Sequence, residues 1–210
     1  MGKFLSLNFL YPNIIFFELL ITNKKGGESM SKNFYISDLH LGDLETLEID
    51  NRPFETLGEQ NRKIISNWNE VVGIDDNAYI IGDFSEYDLD MTRDILNRLN
   101  GNKFIILGNH DNKEIYDTLV KEGVVSKVYE VLEINDNGYN IIMCHYPIFS
   151  WKNKKKGSIH LYGHLHIPSN RGIRDFIESD LMTNSYNCGC MVKYINYKPR
   201  TLNEIIGMVK

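Results

Sequence analysis

The sequence has few cysteines and prolines, and it has no excess of basic residues. Its three cysteines cannot form a disulfide framework, and their scarcity fits a reducing, cytoplasmic compartment. With 23 Lys and Arg against 28 Asp and Glu, the net charge of −5 disfavours non-specific nucleic-acid binding, which depends on basic clusters. The 42% hydrophobic content is that of a globular protein, so wholesale disorder is excluded.

The chain also lacks an unbroken apolar run long enough to cross a membrane. Residues 4–21 are the most apolar stretch, but Pro12 and Glu18 interrupt it. A spanning helix needs about 20 predominantly apolar residues. A secretory signal is disfavoured too, because no small-residue cleavage site follows. We therefore expect no membrane partner, although a membrane-associating extension remains an alternative reading of this segment.

A third reading of the first residues comes from the genetic code. Lys24–Ser29 (KKGGES) directly precedes Met30. Codons for Lys-Gly-Gly-Glu can spell a ribosome-binding sequence a few nucleotides before a start codon. We therefore expect residues 1–29 to be translated upstream sequence and residues 30–210 to form one domain.

From Asn33 onward, the pattern alternates between strands and helices and then changes. Strands are predicted at 33–37, 78–81 and 103–107, and helices at 59–72, 90–100 and 112–122. The second half is mostly β, with strands predicted at 124–134, 139–144, 158–162 and 188–195. This order favours an α/β fold in which two sheets pack together with helices outside.

Five predicted strands end in Asp, His or Asn side chains. In chain order, these residues are Asp38, His40, Asp83, Asn109, His145, His164 and His166. Ligand sites form at the carboxyl ends of strands in open α/β sheets. Imidazole with carboxylate suits Mn, Fe, Zn or Ni, and seven ligands are too many for one such ion. We therefore expect two divalent ions about 3.5–4 Å apart that share Asp83.

Several nearby residues have a structural reading that we prefer. His160 lies inside a predicted strand and is expected to be a packed or hydrogen-bonded histidine. Cys188 and Cys190 form a Cys-x-Cys pair that could bind a soft metal, but packing as small apolar residues is favoured. Trp68 and Trp151 are interpreted as packing residues.

Other residues leave a functional alternative open. Arg52 follows the first motif, and its planar guanidinium suits phosphate oxygens, although a surface salt bridge explains it equally well. Asn187 is expected to brace a turn rather than to bind phosphate. Tyr146 and Phe84 could flank a nucleobase, but core packing is preferred. Lys152–Lys156 is interpreted as a solvated loop.

Taken in chain order, the short motifs that contain these seven residues resemble those of the calcineurin-like metallophosphoesterase superfamily. The pattern of that superfamily is D-x-H, G-D, G-N-H-[DE], H and G-H-x-H. The resemblance covers residues 33–206, and it is closest to small bacterial and phage phosphoesterases. Protein Ser/Thr phosphatases carry a V-D-R-G stretch after G-D, whereas this chain has Phe84–Tyr87 (FSEY). The resemblance implies a four-layer α-β-β-α sandwich.

The resemblance also implies a role for each residue. Asp38, His40, Asp83 and His166 would hold one metal ion, and Asp83, Asn109, His145 and His164 would hold the other. A water or hydroxide between the ions would attack phosphorus. His110 would protonate the leaving oxygen as general acid, and Asp111 would orient His110.

We therefore expect a phosphoric ester hydrolase, a phosphodiesterase or phosphatase, that acts on a small phosphorylated substrate, either a nucleotide or a phosphodiester. Its cofactors would be two divalent ions, with Mn²⁺ favoured over Fe, Zn or Ni. A nuclease on the same scaffold is the main alternative, which the acidic net charge disfavours. A non-catalytic scaffold is a further alternative, but such a protein would usually lose metal ligands, and this chain retains the full set.

Overall fold

The computed structural model describes residues 31–167 and 170–209, so the predicted start at Met30 lies outside the described part. The described strands, in chain order, are β1 (Asn33–Ile36), β2 (Asn77–Ile81), β3 (Asn102–Ile106), β4 (Lys127–Tyr129), β5 (Val131–Asp136), β6 (Tyr139–Cys144), β7 (Ile159–Tyr162), β8 (Ser185–Asn187) and β9 (Arg200–Thr201). They form a five-stranded sheet in the order β4-β3-β2-β1-β9 and a four-stranded sheet in the order β5-β6-β7-β8.

Both sheets are mixed. In the first sheet, β1 to β4 run parallel and only β9 is antiparallel. In the second sheet, β6, β7 and β8 are parallel, while β5 and β6 form an antiparallel hairpin. Parallel neighbours bring their carboxyl ends to one edge of each sheet. Each sheet therefore places the loops that follow its parallel strands side by side.

The described helices are α1 (Leu44–Ile49), α2 (Leu57–Val71), α3 (Leu89–Arg98), α4 (Lys113–Lys121), α5 (Arg171–Ile177) and α6 (Leu202–Val209). The three long helices α2 to α4 start at Thr56, Asp88 and Asn112, whose side-chain oxygens accept first-turn backbone N–H groups. These three helices lie within two residues of their predicted bounds. Among the described helices, none is long and apolar enough to cross a membrane.

One hydrophobic core joins the two sheets and the helices. Its buried side chains come from both sheets and from α2, α3 and α4. Trp68 of α2 is fully buried, as predicted, and its indole Nε1 donates to the Asn100 carbonyl at 3.0 Å. The two mixed sheets with flanking helices confirm the predicted α/β sandwich class.

Two predicted strands need correction. The stretch 124–134 divides at Glu130 into β4, which ends the first sheet, and β5, which begins the second. The stretch 188–195 forms turns instead of a strand. Its apolar side chains are buried because the turn lies between the sheets: Cys188 N donates to Tyr162 O at 2.7 Å, and Cys190 N donates to Ser37 O at 2.8 Å.

Candidate metal centre

The structure brings the seven residues predicted as metal ligands together. Asp38 and His40 follow β1, Asp83 follows β2 and Asn109 follows β3, while His145 follows β6 and the last two histidines follow β7. Backbone bonds join the loops, such as Asp38 N to Gly82 O at 3.0 Å. Side chains from both sheets thus form one group.

One half of this group consists of Asp38, His40 and His166, whose ligand atoms lie within 4.8 Å of one another. Asp38 is fully buried and holds its position through three contacts. Its Oδ2 accepts the Ser37 hydroxyl at 2.6 Å, and its Oδ1 accepts the His164 backbone N–H at 2.8 Å and lies 3.8 Å from His166 Nε2. Burial raises the pKa of this carboxyl group.

The other half is centred on Asp83, His145 and Asn109. His145 Nε2 lies 3.1 Å from Asp83 Oδ2 and 3.2 Å from Asn109 Oδ1, and His164 Nδ1 lies 2.9 Å from the same amide oxygen. Burial is the largest single influence and would lower the pKa of His145, but the hydrogen bond to Asp83 and the negative charges of Asp83 and Asp38 together raise that pKa. The same bond lowers the pKa of Asp83 against the opposing effect of burial.

His40 carries the observation that best tests whether a metal ion fits. Its side chain is 2% exposed, and neither ring nitrogen has a hydrogen-bond partner. The nearest carboxylate oxygens, on Asp83 and Glu86, are both 3.6 Å away, which is too far for a hydrogen bond. Burial lowers the pKa of His40 to about 4, so its ring is neutral at neutral pH. A neutral, buried imidazole without a partner fits a metal ion as the missing partner.

The backbone at the centre adopts an unusual conformation. Five of the seven residues have a positive φ between 45° and 70°: Asp38, His40, Asp83, His164 and His166. Few residues other than glycine occupy this left-handed region, and Asn, Asp and His, the types most enriched there, include all five of these residues. Such conformations persist where the surrounding structure enforces them, and they cluster at functional sites.

Two motif glycines allow the loops to approach closely. A Cβ atom on Gly82 would lie 2.2 Å from His145 Nδ1, and one on Gly108 would lie 2.1 Å from Asp83 Oδ1. Both distances are far inside van der Waals contact. The G-D and G-N-H blocks therefore need glycine because the adjacent ligand side chains occupy the space of its missing Cβ.

Asp111 does not contact the His110 ring, which corrects the predicted orienting role. Its Oδ2 accepts the backbone N–H groups of Asp83 and Gly108, both at 2.8 Å, and its Oδ1 accepts from Phe84 N at 3.1 Å and the Tyr116 hydroxyl at 2.9 Å. Asp111 therefore ties the loop after β2 to the loop after β3.

Glu86 is the acidic partner of His110, and sequence reasoning did not find it. His110 Nδ1 lies 2.8 Å from Glu86 Oε1, and the His110 backbone N–H donates to Asp83 Oδ1 at 2.9 Å. Burial raises the pKa of Glu86 above its ordinary value. Its position three residues after Asp83, in the same loop, is the sequence signal that could have indicated it.

Arg52 is unavailable to substrate, which corrects its predicted contact with phosphate. Its side chain is 0% exposed, and its five N–H groups are all used within the protein. They donate to the carbonyls of Asp38 and Leu39, to Gln60 Oε1 and, through two bonds, to Asp50 Oδ2. Arg52 thus holds the chain around Asp38 and positions Asp50.

Asp50 is a second residue that sequence reasoning missed. Its Oδ1 lies 2.7 Å from His166 Nδ1, so that imidazole presents Nε2 toward Asp38. Burial is the largest single influence and would lower the pKa of His166, but this hydrogen bond and the negative charges of Asp38 and Asp50 together raise that pKa. A carboxylate on the far nitrogen fixes the ring orientation of a ligating histidine.

The contacts of three other residues agree with the structural roles that the sequence predicts for them. His160 is fully buried and lies 3.1 Å from the Ile142 carbonyl through Nδ1. Asn187 braces the chain, because its Nδ2 donates to the His166 carbonyl at 3.1 Å. Cys190 is buried, and burial raises the pKa of its thiol to about 12, which disfavours a thiolate ligand.

The preferred reading of core packing holds for Phe84 and Trp151 but not for Tyr146. Phe84 is fully buried, and Trp151 is 8% exposed with its Nε1 donating to Ser158 O at 3.2 Å. Tyr146 is 44% exposed beside His145 and His164. Core packing was the wrong expectation for Tyr146, because its ring lies at the surface of the centre.

Comparison with known proteins agrees with this geometry. Residues 34–187 match the family model of the calcineurin-like phosphoesterases. An uncharacterized protein of Methanocaldococcus jannaschii is 31% identical over 87% of this chain and 93% of its own length. The Gene 66 protein of Mycobacterium phage L5 is 27% identical over 66% of this chain and 79% of its own length.

A solved structure supports the fold. A protein of unknown function from Aquifex aeolicus superposes with a TM-score of 0.64 at 21% identity, over 85% of this chain and 99% of that one. The family match covers most of the described residues and contains all seven of the clustered side chains. The chain therefore belongs to the calcineurin-like phosphoesterase family.

Proposed function

We propose that the chain is a metal-dependent phosphoester hydrolase that uses two divalent cations, with Mn²⁺ favoured, to cleave a small phosphorylated substrate, which is either a nucleotide or a phosphodiester. The observation that carries this proposal is the convergence of seven ligand-type side chains from five strand ends, with both buried ring nitrogens of His40 lacking a partner. Family membership supports phosphoester hydrolysis.

The residues fall into two ligand sets that share one carboxylate. Asp38, His40, Asp83 and His166 would hold one cation, and Asp83, Asn109, His145 and His164 would hold the other. When bound, two such cations polarise phosphoryl oxygens and lower the pKa of water toward about 7. Asp50 and the Ile81 carbonyl, at 2.7 and 2.9 Å, fix the far nitrogens of His166 and His145.

His110 would donate the proton that the leaving oxygen needs. Its Nδ1 is bound to Glu86, and Nε2 has no hydrogen-bond partner within the described part of the chain. The ring is also half-exposed, so Nε2 can reach a bound ester. The backbone hydrogen bond from His110 to Asp83 keeps the ring beside the centre.

Hydrolysis of bis-p-nitrophenyl phosphate and p-nitrophenyl phosphate tests this proposal. Protein stripped of metal and reloaded with Mn²⁺ should hydrolyse at least one ester. Asp83→Asn should remove turnover, and His110→Ala should reduce it by about 10²–10⁴-fold. Asp117→Asn, which changes an exposed carboxylate on α4, is the control and should keep full activity.

Two results would contradict the proposal. One is an Mn²⁺-loaded wild type that hydrolyses neither ester. The other is an Asp83→Asn variant that is as active as wild type, because the proposed shared ligand would then be dispensable.

A further inference from the structure

The segments next to the seven clustered side chains contain no Lys or Arg. They comprise residues 37–43, 82–87, 107–112, 145–149 and 163–167, and the loop after β6 carries lysines only from Lys152 onward. The guanidinium group of Arg52 approaches Asp38, but it is buried and fully bonded. None of these segments therefore supplies a Lys or Arg side chain that would offset the charge of a substrate with several phosphates. The arrangement suits a substrate with one phosphate group. A phosphodiester carries a smaller negative charge than a phosphomonoester and therefore suits it best.

One exposed aromatic ring borders the centre. The Tyr146 ring centroid lies 4.9 Å from that of His164 and 5.2 Å from that of His145, with interplanar angles of 66° and 74°. Its hydroxyl has no hydrogen-bond partner in residues 31–167 or 170–209. A half-exposed aromatic side chain next to polar ligands provides an apolar contact surface where substrate binds.

The backbone that carries this ring packs against His160. The Nδ1 atom of His160 lies 3.1 Å from the Ile142 carbonyl oxygen, and its Nε2, which lies 3.2 Å from the Tyr146 carbonyl oxygen, accepts the Ile148 backbone N–H at 3.3 Å. Burial lowers the pKa of His160 to about 4, so the ring stays neutral and able to accept this bond. The short loop that carries Tyr146 is therefore held in place before substrate arrives, which reduces the entropic cost of binding.

We propose that Tyr146 is the residue that determines substrate specificity: its ring packs against an aromatic ester group of a phosphodiester. This inference rests on the proposed function. In the reaction, the attacking water gives up a proton as its oxygen bonds to phosphorus, one P–O ester bond breaks, and the leaving oxygen takes a proton from His110, which regains one from solvent. The products are a phosphomonoester and an alcohol or phenol, and nothing is oxidised or reduced.

Two diesters with the same leaving group test the inference. Phenyl p-nitrophenyl phosphate and ethyl p-nitrophenyl phosphate both release p-nitrophenolate, so they differ in the retained ester group. In the Tyr146→Leu variant, the wild-type preference in kcat/KM for the phenyl ester should fall about tenfold, or about 1.4 kcal/mol. Tyr146→Phe should keep the preference, because it keeps the ring.

A matched control is available on β6, the strand that leads into the loop of Tyr146. Tyr139 is 41% exposed and begins β6, at the end opposite the loop of Tyr146. Tyr139→Leu removes a ring of similar exposure and should leave the preference unchanged. Thermal melting of each variant should show that it is folded.

Binding supplies a readout that does not depend on turnover. Titration calorimetry on the Mn²⁺-loaded protein should show tighter binding of phenyl phosphate than of ethyl phosphate, and Tyr146→Leu should remove that difference. Turnover of both diesters with a preference that survives in Tyr146→Leu overturns this inference alone. A wild type that hydrolyses neither diester overturns the proposed function and this inference with it.

Discussion

The substitution Asp111→Asn should lower the free energy of unfolding, because the Asp111 carboxylate accepts four hydrogen bonds. The buried carboxylate accepts backbone N–H groups from the loops after β2 and β3, together with the Tyr116 hydroxyl. These bonds join the two loops that carry Asp83 and Asn109. The substitution keeps the size of the side chain and removes one acceptor oxygen and the charge.

The expected loss of unfolding free energy follows from which of these hydrogen bonds asparagine can still form. The amide oxygen of asparagine can accept two N–H groups, and the Tyr116 hydroxyl can rotate to accept from the new NH₂ group. The Phe84 backbone N–H then loses its acceptor, and the remaining bonds lose their charged acceptor. A hydrogen bond to a charged group contributes about 1.5–3 kcal/mol. Burial raises the pKa of Asp111, so desolvation of the charge exceeds what these hydrogen bonds return. The expected loss therefore comes from the buried Phe84 N–H that is left without an acceptor, and it is about 1–3 kcal/mol.

Urea denaturation of the metal-free protein at pH 8 measures this loss without reference to catalysis. Asp117→Asn is the control, since Asp117 forms an exposed pair with Lys113 on α4, and it should change the unfolding free energy by less than about 0.5 kcal/mol. The reasoning is refuted if Asp111→Asn is as stable as wild type. A loss of turnover without a loss of stability would instead favour an orienting role toward His110.

Three further predictions follow from the same contacts. Glu86→Gln should reduce kcat about 10–100-fold with little change in unfolding free energy, because it removes the charge beside His110; unchanged kcat would contradict it. Gly108→Ala should abolish Mn²⁺-dependent turnover, because the added Cβ would overlap the Asp83 carboxylate. Gly207→Ala is the control and should keep turnover, because its Cβ would meet nothing within 4 Å. An active Gly108→Ala enzyme would contradict the packing argument. His160 is neutral in the folded state with a pKa of about 4, so unfolding takes up a proton as pH falls below 6.5. Urea denaturation should therefore show that wild type loses about 2–3 kcal/mol more stability than His160→Phe between pH 7.5 and pH 4.5, and equal losses would contradict the assigned pKa.

The arrangement of the seven clustered side chains could be predicted because it depends on local order and topology. Each of them lies within four residues of the end of a strand with a clear apolar pattern, as Asp83 follows β2. Parallel neighbours then bring these ends to one edge whatever the details of packing. A strand boundary that is wrong by one residue leaves this conclusion unchanged.

The acidic partners of the imidazoles could not be predicted in the same way. Asp50 bonds His166 across 116 residues, and the chain has 28 Asp and Glu from which to choose. Asp111 adjoins His110 in sequence, yet its side chain turns toward backbone N–H groups while Glu86 reaches the ring. Such choices depend on side-chain direction and burial. The position of Glu86 three residues after Asp83 makes it a candidate, but that spacing alone does not select it over Asp111.

Apolar content misled the prediction for residues 188–195. Cys188, Cys190 and Ile195 are fully buried, as strand residues would be. Their burial arises because a turn lies between the two sheets, where Cys190 Sγ donates to the Asp38 carbonyl at 3.0 Å. Burial in a turn and burial in a strand select the same residue types, so composition does not distinguish them.

Anomalous scattering from crystals of the Mn²⁺-loaded protein tests the central claim most directly. The account predicts two manganese peaks about 3.5–4 Å apart, both in contact with the carboxylate of Asp83. One peak should also contact His40 and the other His145. A single peak, or peaks away from Asp83, would contradict the proposed two-cation centre.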